Sequence, residues 1–421
     1  MKILYLCADA GVPVLGRKGA SVHVREMAEA FTRAGHQVVL VAQVLNKSPW
    51  EQPAEVAAQV LQVRPSSSAQ STVQAVKDFQ TQLGLEGSLP GELRRILYNQ
   101  DLTADLVRRF DAAPPDFIYE RAALYSTAGA NVAHRLNVPL LLELNAPLAV
   151  EQTAYRGNGL GALGTQAEQW VLGQADAVLT VSAQLRQHVL SLGVAPEKIH
   201  VVPNGVNASL FHPGPRDEEL RVQLGLGDGP VLGFVGGLRP WHGIEALPAL
   251  LASLIHIHPS LRMLLVGDGS LRDEFQDSLR VRGLADHVVF AGAVPHEDVP
   301  ALIRQFDIAL APYPALNHDF YFSPLKVFEY MACGVVTVAP HCGQLTELIR
   351  DGETGILYPP GDLNALTAAC AGLLNNPKRR RTLGQSAARH VRENFTWERN
   401  AQRAVELGRG LAGLRAAVRP A

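Results

Sequence analysis

The stretch KILYLCADAGVPVLGRKGASVHVREMAEAFTRAGHQVVLVA, residues 2 to 42, decides the fold. It opens on the apolar run KILYLC and closes on another, QVVLVA. Between them Val24, Met27, Ala28 and Phe31 recur at the spacing of one helix face, and Gly35 stands just past Ala34 as a helix stop. Two apolar strands joined by an amphipathic helix form a parallel crossover unit. The rhythm continues outward through DFIYE, VPLLLEL, DAVLTVS and IHVVP, and again through VLGFVGG, RMLLVG, HVVFAG, DIALAP, VVTVAP and GILYP. Strands apolar on both faces are those of a sheet covered by helices on both sides. The expectation is an α/β protein with two consecutive parallel sheets, which bind ligands at the carboxyl ends of their strands.

Composition narrows the function. The chain has 421 residues, 47% of them hydrophobic, enough for two domains with sizeable cores. Its 38 Lys and Arg balance 40 Asp and Glu, so no overall basic field points to nucleic acid. Cys7, Cys333, Cys342 and Cys370 form no CxxC pair, which fits a reducing compartment and small buried thiols better than zinc or disulfides. The first residues are too short an apolar run for a secretion signal, and no run of about 18 apolar residues spans a membrane. A cytoplasmic location follows, with peripheral contact at the inner membrane face left open.

Residues 1–205 form the expected first domain, with an insertion at about 46–115 where RPSSSAQS and polar helical segments break the rhythm. Arg94, Arg95, Arg108 and Arg109 make a solvated basic face there, or a contact to a membrane or acceptor. Proline, glycine and charge crowd residues 206–229, the expected linker. Residues 230–394 form the second domain, and 395–421 a helix that crosses back to the first.

The segment FYFSPLKVFEYMACG, Phe320 to Gly334, carries the most chemistry. Ser323 suits an N-cap and Pro324 a first helical turn, which places a helix start at Pro324. Lys326 in the first turn opposes the helix dipole, so it is better explained by an anion in front of it. Glu329 lies one turn on, and a carboxylate suits two vicinal hydroxyls such as those of ribose. A plain Lys–Glu surface pair explains the same spacing. Glycine turns with basic neighbours shift the balance toward a phosphate site: LRPWHG after VLGFVGG, with Gly236, Gly237, Arg239 and His242, DGSLRDEF after RMLLVG, and GRKGAS with Gly19 and Ser21.

These segments together resemble the nucleotide-sugar-dependent, retaining glycosyltransferases of family 4: GASVHVREMAEAFTRAGHQV, VSAQLRQHVLSLGVAPEKIHVVPNGVN, GFVGGLRPWHGIEAL, LLVGDGSLRDEF, SPLKVFEYMACGVVTVA and DGETGILYPPGD, in that order. The resemblance implies the GT-B architecture, two facing Rossmann-like domains with a cleft between them. It also implies transfer of a sugar from a nucleoside diphosphate, with retention, without metal or other cofactor. The second glutamate of the family's Glu-x7-Glu motif falls on Glu329, implying a ribose contact, and Gly19 matches the glycine that approaches the diphosphate. Gly237, Arg239, His242, Asp319, Tyr321, Ser323, Pro324, Leu325 and Lys326 complete the implied donor side.

The departures are specific. Tyr321 stands where the first motif glutamate would hold the transferred sugar, with Asp319 a substitute on the same loop. Gly237 and His242 occupy the positions of the family's basic pair, whose charge Arg239, Lys326 and a protonated His242 would supply. At two strand ends of the first domain, Glu120, Arg121, Glu143 and Asn145 are acceptor-side candidates, or salt-bridge one another. Asn145, Glu143 and Lys326 are the catalytic candidates. The acceptor, a glycan, a lipid-linked sugar or a small molecule, and the oligomeric state stay open. So do two alternatives, a non-catalytic nucleotide- or glycan-binding relative, and an epimerase or phosphorylase on the same fold.

Overall fold

A computed structural model describes residues 1–47, 53–157 and 159–418. Residues 48–52 of the expected insertion and 419–421 of the last helix lie outside the described residues. The chain divides into two compact units, one built from Met1–Pro203 with the chain from Trp397 onward, the other from Asn204–Thr396.

The first unit holds a seven-stranded sheet: β1 (Lys2–Cys7), β2 (Gln37–Ala42), β3 (Gln59–Gln62), β4 (Phe117–Arg121), β5 (Leu140–Leu144), β6 (Ala177–Thr180) and β7 (Ile199–Val201). Their spatial order is β3-β2-β1-β4-β5-β6-β7, every pair parallel, so the order reverses between β1 and β4. Helix α1 (Gly19–Arg33) buries Val24, Met27, Ala28 and Phe31, the face its spacing predicts, and the chain turns out of it at Gly35 with φ of 82°.

The second unit holds a six-stranded sheet: β8 (Val231–Val235), β9 (Arg262–Val266), β10 (Val288–Gly292), β11 (Ile308–Leu310), β12 (Thr337–Pro340) and β13 (Ile356–Tyr358). Its order, β10-β9-β8-β11-β12-β13, is also all parallel and reverses between β8 and β11. Two all-parallel α/β sheets are the expected fold class. In each, the reversal leaves a crevice at the carboxyl ends of the two central strands, where ligands bind in such folds.

Two readings need correction. The 46–115 stretch is no simple insertion, because it supplies the edge strand β3 and helix α3 (Leu89–Phe110), which buries Tyr98, Leu102, Leu106 and Phe110. The Tyr98 hydroxyl donates to the Val63 carbonyl at 2.8 Å, tying that helix to the segment after β3. Helix α2 (Ser67–Gln82) packs along α3 through half-buried Ala69, Val73 and Val76 and has no fully buried residue. Nor is 206–229 a free linker. Val206 bridges to Thr396, Phe211 is buried in a core of the second unit, and Arg221 is buried with its guanidinium donating to the Gly227 and Gly229 carbonyls.

The last helix, Trp397–Val418, belongs to the first unit and packs along α1. Its opening residue, Trp397, is buried edge-on against His23, ring centres 4.8 Å apart.

Candidate functional site

In the second unit the site grows from the crevice between β8 and β11. The helix that follows runs from Leu325 to Ala332 and is buried nearly all round, Lys326 and Glu329 included. Its position against β8 is set by Tyr330, fully buried, whose hydroxyl accepts from the Val235 amide at 2.6 Å. That contact delivers Lys326 to the end of β8. Its ammonium lies 4.1 Å from the ring centre of Phe234, in β8, and 5.5 Å from that of Tyr313, just beyond β11. Aromatic faces attract a cation, each by about 0.5–2 kcal/mol, but they donate and accept no strong hydrogen bond. The Lys326 Nζ is buried with no hydrogen-bond partner among the described residues. Burial, against the attraction of Glu329, pulls its pKa from 10.5 to about 7.

Gly236 shows how tightly this ammonium is placed. Its φ is 139°, and a Cβ there would sit 2.8 Å from Lys326 Nζ. A side chain there would push the Lys326 amine aside, and the positive φ itself favours glycine.

Glu329 does not pair with Lys326, and the surface-pair reading fails because both residues are buried. Its Oε1 meets His296 Nε2 at 2.8 Å. His296, in the turn after β10, had no signal of its own in the sequence, since 33 positions separate it from its partner.

Three other donor-side readings change. The helix starts one residue later than Ser323 and Pro324 suggest, with Pro324 at the cap and no side-chain cap bond. Ser323 is engaged elsewhere: its hydroxyl accepts from the Asn204 amide at 2.9 Å, and its carbonyl accepts from Asn204 Nδ2 at 2.6 Å. His242 is no ready cation. Burial and then Lys326 lower its pKa to about 3, outweighing its 2.6 Å bond to the Gly237 carbonyl, and Arg239 pushes the same way. The neutral ring packs instead among Phe234, Trp241 and Tyr313. Tyr321 is buried, stacked on His318 with ring centres 5.5 Å apart and tilted against Phe322. Asp319 and Arg239 are exposed.

In the first unit the structure gathers a different set. Glu143, buried in β5, stands in register with Arg121 of β4, and Arg121 Nη1 reaches Glu143 Oε1 at 3.2 Å. The Tyr119 hydroxyl and Asn145 Nδ2 donate to the same carboxylate, and His23 Nε2, on α1, lies 2.8 Å from Oε1. Burial alone would raise the pKa of Glu143; His23, Arg121 and Tyr119 overcome it and hold the carboxyl near 2. His23 and Tyr119 are the residues that sequence reading missed.

Glu120 does not join them. Side chains alternate along a strand, so Glu120 points to the face opposite Tyr119 and Arg121. It lies under helix α4 (Ala128–Leu136), so close that a Cβ on Gly129 would fall 1.8 Å from its Oε2. Its Oε1 accepts from Ser126 at 2.9 Å, Oε2 has no partner among the described residues, and burial, only partly offset by Ser126, raises its pKa to about 7. Ser21 is fully buried, whereas Gly19 is exposed as the first residue of α1. A cavity of about 590 Å³, lined by Asn99, Tyr125, Asn131 and Arg135 among others, opens among the outer helices of this unit, and none of the candidate site residues lines it.

Comparison with known proteins identifies the family. Residues 17–210 match the model for glycosyltransferase family 4, and residues 229–376 that for glycosyl transferases group 1. A D-inositol 3-phosphate glycosyltransferase of Thermomonospora curvata is 30% identical over 314 residues, 70% of this chain and 71% of that protein. The GDP-mannose-dependent alpha-(1-6)-phosphatidylinositol monomannoside mannosyltransferase of Mycolicibacterium smegmatis is 30% identical over 236 residues, 55% of this chain. The match spans 62% of the length of that mannosyltransferase, and 64% of a D-inositol 3-phosphate glycosyltransferase of Acidothermus cellulolyticus. In fold the chain is similar to sucrose-phosphate synthase from Thermosynechococcus elongatus, with a TM-score of 0.70, 22% identity, and coverage of 98% and 99% of the two chains. It is also similar to Anabaena HepE in complex with UDP-glucose, with a TM-score of 0.67, 20% identity, and coverage of 99% and 100%.

Proposed function

The chain belongs to glycosyltransferase family 4, and from that premise we propose that it transfers a sugar from a nucleoside diphosphate sugar to a hydroxyl acceptor, with retention and without a divalent metal. One observation carries the reading: a buried ammonium with no hydrogen-bond partner among the described residues, Lys326, at the strand-order reversal of the second unit. An isolated buried charge is costly unless something pairs with it, and a diphosphate is the anion this family handles. When that anion arrives, its field raises the Lys326 pKa, so the amine is charged when the leaving group gains negative charge. The free second oxygen of Glu329 accepts from the ribose hydroxyls, and Arg239, exposed one turn from the crevice, adds positive charge on the diphosphate.

The first unit supplies the acceptor side. Glu143, held ionised by His23, Arg121 and Tyr119, orients Asn145 toward an acceptor that is a glycan, a lipid-linked sugar or a small polyol. HepE was solved with UDP-glucose, and the relatives named above act on inositol phosphate or phosphatidylinositol mannoside, which is the chemical range to screen first. The protein works in the cytoplasm, with peripheral contact at the membrane through the end of α2. No helix among the described residues is long and apolar enough to cross a membrane, but Phe79, Leu83 and Leu85 there are more than half exposed.

Thermal shift with UDP, GDP and ADP and their sugars tests the reading, because a ligand of the folded state raises the melting temperature. One nucleotide series should stabilise the wild type, Glu329→Ala should lose that gain, and transfer should survive chelation of divalent metals. Lys326→Ala should weaken the diphosphate more than the free nucleoside; equal losses reject its phosphate role. The buried packing of Tyr321, where a carboxylate is expected, favours one second reading, a nucleotide-binding relative without turnover. Nucleotide binding with no transfer or hydrolysis of any donor would establish it.

A further inference from the structure

The loop after β10 contributes a residue that neither the motif nor the family comparison points to. His296 opens a short turn, His296–Asp298, and its ring leans on Phe211, itself almost fully buried, with ring centres 5.1 Å apart. Its Nε2 lies 2.8 Å from Glu329 Oε1, and Glu329 is nine-tenths buried. To bond a carboxylate, that nitrogen must carry the hydrogen. The contact therefore fixes both the tautomer of His296 and the direction of the carboxylate. Among the described residues no other hydrogen-bonding or ion-pairing partner reaches Glu329, so Oε2 is left as an acceptor aimed by its twin.

We propose that His296 is a positioning residue for nucleotide recognition: it holds one oxygen of Glu329 so that the other meets the vicinal hydroxyls of the donor ribose. The inference rests on the ribose role given to Glu329 above. Its physical basis is preorganisation. A carboxylate on an unbraced side chain must be ordered when ligand arrives, whereas one already tied at Oε1 is not reordered, and its hydrogen bond to a hydroxyl keeps its full strength. A single ring N–H suits the task better than the several donors of Lys or Arg, which would reach both carboxylate oxygens and compete with the hydroxyls. Phe211 prevents the ring from swinging away, so the brace comes from β10 and the carboxylate from the Leu325 helix, two elements anchored in one core.

The decisive readout is discrimination at the 2′-hydroxyl, which general damage to the fold does not alter selectively. Binding of UDP, GDP and ADP and of their 2′-deoxy counterparts is measured by calorimetry on the full chain. The wild type should favour the ribonucleotide it binds by about tenfold or more. Glu329→Ala should abolish the preference, His296→Ala should reduce it to within about threefold, and His296→Gln, whose amide N–H reaches a similar point, should restore most of it. With a donor sugar, His296→Ala should raise KM and leave kcat nearly unchanged. Should His296→Ala not fold, His296→Asn, with an amide too short to reach, takes its place. If the wild type binds none of the three nucleotides, or Glu329→Ala keeps the preference, the ribose role of Glu329 falls and this inference with it. If those two behave as expected while His296→Ala and His296→Asn keep the full preference, the positioning role alone is wrong.

Discussion

Lys326 in the second unit and Glu143 in the first are both charges taken out of water at the end of a central strand, yet they are treated in opposite ways. Glu143 is met by a histidine, an arginine, a tyrosine and an asparagine, and its charge is stabilised so far that its pKa falls to about 2. Among the described residues Lys326 is met by two aromatic rings and no hydrogen-bond acceptor, and its pKa falls to about 7 because burial disfavours its charge. A lowered pKa means a stabilised charge in the acid and a penalised one in the base. The first arrangement is complete without a ligand. The second is complete only with one.

The largest effect expected from this contrast is on stability. Glu143→Ala should cost about 3–5 kcal/mol in urea unfolding, because it strands half-buried Arg121 without its counter-charge and buried His23 without its hydrogen-bond partner. A loss below about 1 kcal/mol would mean the network contributes little to the fold.

Lys326 should reveal itself through pH. The folded chain gives up this proton near pH 7, while the unfolded chain keeps it to about 10.5. Between those values unfolding takes up a proton, so stability should rise with pH by about 1 kcal/mol per unit, and the penalty is greatest below pH 7. In Lys326→Met that rise should vanish, leaving the variant as stable as the wild type or more so at pH 6.5. Calorimetry in buffers of different ionisation enthalpy should also show proton uptake when a nucleoside diphosphate binds at pH 8.

Affinity is the next measure. Lys326→Met should weaken the diphosphate about tenfold to a hundredfold, the span of one hydrogen bond to a charged group. An unchanged dissociation constant would break the contrast, since the unpartnered amine would then be waiting for nothing.

The smallest effect concerns Glu120, the acid that neither arrangement includes. Its folded pKa of about 7 lies above the ordinary 4.5, so its contribution is full below pH 4.5 and is lost as pH rises toward 7. Glu120→Gln should remove that loss, leaving the variant more stable than the wild type by on the order of 1 kcal/mol at pH 5.5 in urea unfolding.

What could be read in the sequence was what local pattern controls. The apolar runs located twelve of the strands, and the spacing of Val24, Met27, Ala28 and Phe31 gave the buried face of α1. Strand β3 was hidden because QVLQ is short and only half buried at the sheet edge, so little apolar pattern marks it. Glu120 was readable and misread: neighbours in a strand cannot share a face, which separates it from Arg121 without any structure. His23 and His296 were not readable, because each acquires its role from a carboxylate far along the chain, 120 and 33 positions away. Ser323 failed for the same reason, its local preference for capping overridden by Asn204 from 119 positions earlier. His242 shows that residue type alone does not give charge state; the neighbours that bury it decide.

The helix that begins at Trp397 has a consequence for synthesis. Its contact with His23, and the Arg33–Glu398 pair at 2.7 Å beside it, join the beginning of the first unit to chain that emerges only after the whole second unit has been translated. On the ribosome the second unit can therefore close first, while the first unit waits with the α1 surface that will receive this helix still bare. Domains in most chains fold in order of synthesis. Here the amino-terminal unit is the last to be finished, and a stalled or truncated chain that ends before Trp397 leaves uncovered the ring of the histidine that is hydrogen-bonded to Glu143.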